Sequence, residues 1–101
     1  MKAAILSFTA NGRKTAGKVR KALSSEDWLV AENVKCKEEA DSYEGSLKEW
    51  TEEHWKVSDV LIYVGAAGIA VRAIASFVVS KKEDPAVLVI DELGKYCIPI
   101  L

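Results

Sequence analysis

Two short stretches carry the residues that could hold an anion. The first is Gly65-Ala66-Ala67-Gly68 with Arg72 four residues on; the second is Thr9 and Asn11 in a polar loop near the start of the chain. The glycine loop follows an apolar run, Val60 to Val64, and precedes a series of good helix formers. Glycines at 65 and 68 let the backbone turn tightly and remove side chains that would block a ligand. The first amides of the helix that follows have no intrahelical partner, and they point outward where an anion can take them up. Arg72 shares a helix face with Gly68, and helical side chains lean toward the N-terminus. Its guanidinium can therefore swing back over those amides, where a planar fork of donors suits a carboxylate or a phosphate. The plain alternative is that the glycines serve strand-to-helix packing and Arg72 is a solvated charge. The spacing fits neither a dinucleotide fingerprint nor a Walker loop.

Residues 7–12, Ser-Phe-Thr-Ala-Asn-Gly, stand after the first strand. Hydroxyls and amides there can hold a phosphate, as in flavodoxins, but capping of the next helix by Thr9 or Asn11 is the commoner task and the favoured one. His54 lies on a helix face with Leu47, Trp50 and Trp55, so packing at the rim of the sheet is favoured over acid–base work. The tryptophans read as core or interface residues before a stacking platform. Cys36 and Cys97 form no metal-binding pair, and with a single histidine no metal site is expected. Both cysteines fall in strand-like runs, so buried free thiols in a reducing cytoplasm are expected.

The elements that must position these residues follow from periodicity. A chain of 101 residues, half of them hydrophobic, makes one globular domain. A net charge of −1 and a pI near 5.8 give no drive toward nucleic acid or anionic membranes, and no apolar run is long enough to span a bilayer. Residues 2–8 and 86–90 read as buried strands, like 60–64. Residues 27–36 alternate as an edge strand would, and 95–101 must form an edge strand because Pro99 lies within it. Helices are expected over 12–23, over 46–57 with a capping box at Ser46 and Glu49, and from the glycine loop to about residue 81, before Pro85. Arg13, Lys14, Lys18 and Lys21 read as a solvated face of the first helix. Residues 37–45 read as a polar loop and 91–94 as a turn.

The fold predicted is α/β, a flavodoxin-like three-layer open sheet. It is mostly parallel, in the order 2-1-3-4 with a final antiparallel strand beside the fourth. Ligands bind such sheets beyond the carboxyl ends of the strands. Three loops meet there, residues 7–12, 65–68 and 91–94, and a small hollow with donors from two loops and carboxylates from the third is expected.

The run from Val64 through Gly-Ala-Ala-Gly-Ile-Ala-Val-Arg to Ala75, joined to Asp84-Pro-Ala-Val87 and Val89-Ile-Asp-Glu-Leu-Gly94, resembles the N-terminal domain of the cobalamin-biosynthesis protein G family. Leu47-Lys-Glu-Trp50 and Ile5-Leu-Ser-Phe8 fit it too, so the resemblance covers nearly the whole chain. It implies a part in a cobalt-precorrin-5A hydrolase of the anaerobic cobalamin pathway, which opens a ring lactone and releases acetaldehyde. On that reading residues 1–101 are a single α/β domain, and the family's downstream domains, absent here, are its partners alongside a cobalt-precorrin substrate. No cofactor is implied. Gly65, Ala66, Ala67, Gly68 and Arg72, with Thr9 and Asn11, would hold a rim carboxylate, and Asp91 or Glu92 would activate water. The family pattern continues past Leu101 with Ser-Gly-His and a glycine-rich loop, so this chain alone is expected to be inactive; it commonly has proline where Ser76 stands, so the helix there is expected to run on differently. Two other readings stay open: a non-catalytic module binding tetrapyrrole carboxylates, and a flavodoxin-like flavin binder.

Overall fold

Lys2–Ser7 (β1) and Val60–Val64 (β3) lie side by side and parallel inside a five-stranded sheet. A computed structural model describes residues 1–101. Only Lys2 is exposed in the two strands together, as a position covered on both faces requires. Leu29–Val34 (β2) flanks β1, Ala86–Ile90 (β4) flanks β3, and Cys97–Pro99 (β5) closes the order β2-β1-β3-β4-β5. All pairs are parallel except β4 with β5. Both order and direction are those expected.

Strand alternation sends residues to two separate cores. Ala4 and Leu6 join Leu61, Tyr63, Val87 and Val89 beneath two helices, α2 (Leu47–Trp55) and α3 (Ala67–Ile74). Ala3 and Ile5 join Ile62 and Val64 beneath one helix, α1 (Ala10–Ser25), which contributes Ala16, Val19 and Leu23. The result is three layers, with Trp50 and Trp55 in the core as expected. The Trp50 indole N–H donates to Asn33 Oδ1 at 3.0 Å, tying α2 to the edge strand. The capping box is complete: Glu49 N–H donates to Ser46 Oγ at 3.0 Å, and Ser46 N–H donates to Glu49 Oε1 at 3.1 Å. Those bonds to Ser46 hold the Glu49 carboxyl below its usual range.

Four expectations need correction. The third helix ends at Ile74, well short of 81. Phe77 N–H bonds back to Ile74 C=O, and the Asp84 carboxylate takes the amides of Val79 and Ser80, which gives those groups partners outside a helix. The last strand is three residues long, because the Asp91 carboxylate takes the Tyr96 amide into the preceding turn. Neither thiol is buried: Cys97 is exposed on β5, and Cys36 lies half-exposed beyond β2. The basic face of α1 is not uniformly solvated, since Arg13 pairs with Glu39 and Asp41, at 3.0 and 2.6 Å, and Arg20 with Glu32 at 2.8 Å. The loop 37–45, which suggested no role, is thereby fastened to α1.

Candidate functional site

The three loops do meet at the carboxyl end of the sheet. Thr9 is the N-cap of α1, and its hydroxyl oxygen accepts the Gly12 amide at 2.9 Å. The same hydroxyl donates to Glu92 Oε2 at 2.8 Å, across 83 residues of sequence. Thr15 Oγ1 donates to the Glu92 backbone carbonyl at 2.6 Å, so two turns of α1 hold the turn after β4. Gly65 N–H donates to Ile90 C=O at 2.8 Å, which fixes the start of the glycine loop against the same turn. Gly12 suits a tight approach of α1 to β3: a Cβ there would stand 3.1 Å from Thr9 Oγ1 and 3.4 Å from Val64 O.

The proposed functional residues divide by what the fold already asks of them. Asp91 is engaged in the turn, its carboxylate accepting the amides of Leu93 at 3.3 Å and Tyr96 at 2.5 Å. Glu92 has one carboxylate oxygen on Thr9 and its other without a protein partner. Asn11 is exposed and makes no side-chain hydrogen bond, and the cap is Thr9. Gly65 and Gly68 differ. A Cβ at 65 would press Phe8 Cδ2 at 3.1 Å, so this glycine serves packing, whereas Gly68 opens on empty space. The N-cap of α3 is Ala66, which has no side chain to cap with, so the amides of Ala67 and Gly68 keep no partner from the helix or its cap. Arg72 is exposed in the last turn of α3 and, unlike Arg13 and Arg20, makes no ion pair.

No principal concavity of the surface is lined by residues 65–68 or Arg72. The expected hollow is instead a rim: Phe8 occupies the space beside Gly65, and the open part begins at Gly68. Sequence reasoning missed Thr15 and Phe8, whose roles depend on contacts with no local signature. Ser7, read from the sequence as one of the loop hydroxyls, instead ends β1, with its hydroxyl fully buried and without a hydrogen-bond partner.

Of the other titratable side chains, Cys36 and His54 are both held toward their neutral forms. Hydrogen bonding to Glu38 pushes the Cys36 thiol up, away from the reactive thiolate. His54 rests on Trp50 with ring centroids 4.7 Å apart, at the sheet rim as expected, and burial pushes its pKa down. No group of three His, Cys, Asp or Glu side chains is arranged to hold a metal ion.

Residues 49–101 match the family model described as Cobalamin synthesis G N-terminal. The chain belongs to that family. A cobalt-precorrin-5A hydrolase from Salmonella typhimurium is 41% identical over 59 residues, covering 58% of this chain and 17% of that protein. A crystal structure of a cobalamin biosynthesis protein G homolog from Sulfolobus solfataricus superposes with a TM-score of 0.79 at 26% identity, covering 99% of this chain and 29% of that one. The matched stretch of sequence includes α3, β4 and the 91–94 turn, so the glycine loop, Arg72 and Glu92 all lie within the family segment. The chain spans less than a third of either relative.

Proposed function

We propose that this domain is the N-terminal, substrate-gripping part of a cobalt-precorrin-5A hydrolase in anaerobic cobalamin biosynthesis. It takes a ring carboxylate of the corrinoid on the bare amides of Ala67 and Gly68 and on Arg72. The observation that carries the reading is that one short helix has both an uncapped start and the one arginine with no carboxylate partner, inside the family segment. An anion at a helix start gains from both the amides and the helix dipole. Residues 1–101 are one unit of a larger assembly, and the lactone opening, with release of acetaldehyde, is completed with residues that the longer relatives carry. Glu92 is the better placed of the two carboxylates to take a proton from water, because Asp91 already serves two turn amides. Thr9 orients Glu92, and Asn11, exposed in the first turn of α1, is free to reach a second carboxylate.

The test is titration of the domain with cobalt-precorrin-5A, followed by absorbance, with acetaldehyde assayed in parallel. Binding without acetaldehyde release is the expected outcome. Arg72→Ala should weaken binding by about 1.5–3 kcal/mol, the loss of a charged hydrogen bond. It should leave stability within about 0.5 kcal/mol, because an exposed side chain with no partner contributes little. No binding by the parent domain ends the reading, and so does binding that ignores Arg72.

A further inference from the structure

The two faces of the sheet are unequally covered. Helices α2 and α3 lie over one, but only α1 lies over the other. On that second face Leu88 and Ile90 of β4 remain half-exposed although they touch the α1 core. Pro99 and Cys97, their direct partners on β5, project to the same side and are exposed. The strip continues into a hollow of about 310 Å³ between α1 and the 91–97 turn, lined by Val19, Ile90, Leu93 and Cys97 and bounded by Lys18 and Lys95. Leu93 and Tyr96 beside it are 61% and 70% exposed. A sheet face of this kind is stable only when another layer covers it. The opposite edge of the sheet is guarded by the ion pair of Glu32 on β2 with Arg20 of α1, whereas no ion pair guards this one.

We propose that this uncovered part of the sheet is a docking surface for an α-helix with an apolar face and acidic flanks, supplied by the further folded body that accompanies this domain in its longer relatives. Three observations choose that occupant. The apolar surface joins Leu88, Ile90, Cys97 and Pro99 on two strands to the hollow beside α1, an open strip over a sheet face of the kind helices cover. Lys18 and Lys95 stand at its border with no carboxylate partner, so they are free to pair with acidic flanks. In the Sulfolobus homolog the region matching this chain is 29% of the whole, so a body more than twice its size accompanies the same fold. The inference does not rest on the corrinoid reading, and its failure would leave that reading intact.

Cys97 lies in the surface and reports on it. In a Cys36→Ser variant, Cys97 is the sole thiol, and maleimide labelling measures its cover. The probes are two synthetic 18-residue amphipathic helices with the same leucine face, one flanked by glutamates and the other by lysines. The glutamate peptide should slow labelling at least tenfold at saturation. The lysine peptide should bind about tenfold more weakly, and Lys18→Glu with Lys95→Glu should reverse the preference. Both lysines are exposed, so circular dichroism should be unchanged in that variant. Equal protection by both peptides, or none at millimolar concentration, would overturn the proposal. Protection without peptide, with sedimentation at the dimer mass, would overturn it in favour of a second copy of the chain.

Discussion

Replacing Gly68 by alanine separates a glycine kept for a ligand from one kept for the fold. Gly68 sits in the first turn of α3 with nothing within 4 Å of the Cβ it would carry, and its φ is not in the left-handed region. Alanine there costs no packing and removes backbone freedom from the unfolded chain. Glycine in a helix is worse than alanine by about 0.5–1 kcal/mol, so the variant should gain that much. For a domain of this size the gain amounts to about 3–6 °C in Tm. If a carboxylate sits on the amides of Ala67 and Gly68, the new methyl stands in its approach. Losing a hydrogen bond to a charged group then costs about 1.5–3 kcal/mol, at least tenfold in affinity. Thermal denaturation and corrinoid titration on one preparation give both numbers. A stabilised variant with unchanged affinity refutes the amide site. A destabilised variant refutes the open geometry at residue 68. Gly65→Ala is the control, losing about 1 kcal/mol because its Cβ meets Phe8 at 3.1 Å.

Thr51→Val should cost about 1–3 kcal/mol in urea denaturation, because the Thr51 hydroxyl donates to Leu47 C=O and so accepts from the buried Tyr63 hydroxyl 2.7 Å away, which is left unpaired. Tyr63→Phe should cost less, since Thr51 keeps its bond to Leu47. Burial holds the folded-state pKa of His54 below its unfolded value of 6.5, so the unfolded chain binds the extra proton between the two values. Stability from this residue is therefore complete above pH 6.5 and falls with pH through that interval, and His54→Gln should flatten the slope measured by denaturation between pH 7.5 and 5.5. Two of the three tyrosines should resist ionisation until about pH 12 in absorbance titration of the folded protein, Tyr43 through its hydrogen bond to Glu53 and Tyr63 through burial; both titrating near 10 would contradict their placement.

The three parallel central strands were legible because each is a short apolar run with nothing else it can be, and α2 because Ser46 and Glu49 announce its start. The end of α3 was not legible. No glycine or proline stands between Ile74 and Pro85, and the carboxylate that stabilises the non-helical turn, that of Asp84, acts from four and five residues downstream. The thiols were misjudged for a different reason. Burial of Cys97 would need a layer over β5 on the α1 side, and the local pattern of β5 is the same with or without one. At the site, topology alone foretold that the three loops would meet. It could not foretell the Thr9–Glu92 bond, which joins residues 83 apart, nor that Phe8 would fill the space beside Gly65.

The arginines, with the two carboxylates of the 91–94 turn, split into those the fold consumes and those it leaves. Arg13 fastens the 37–45 loop and Arg20 fastens the edge strand, and Asp91 closes the last turn. Each of those three could be explained without any ligand. Arg72 and the outer oxygen of Glu92 have no such partner within the chain, so the fold makes no comparable use of them. An arginine in the last turn of a short helix gains only about 0.3–1 kcal/mol from the dipole, and a lysine would gain as much. What the guanidinium adds is the bidentate fork, which has value only against a planar anion. Arg72→Lys is thus the sharper substitution. It keeps the charge and the dipole interaction, so a role in stability predicts no change, whereas a role in gripping a carboxylate predicts weaker corrinoid binding at unchanged Tm.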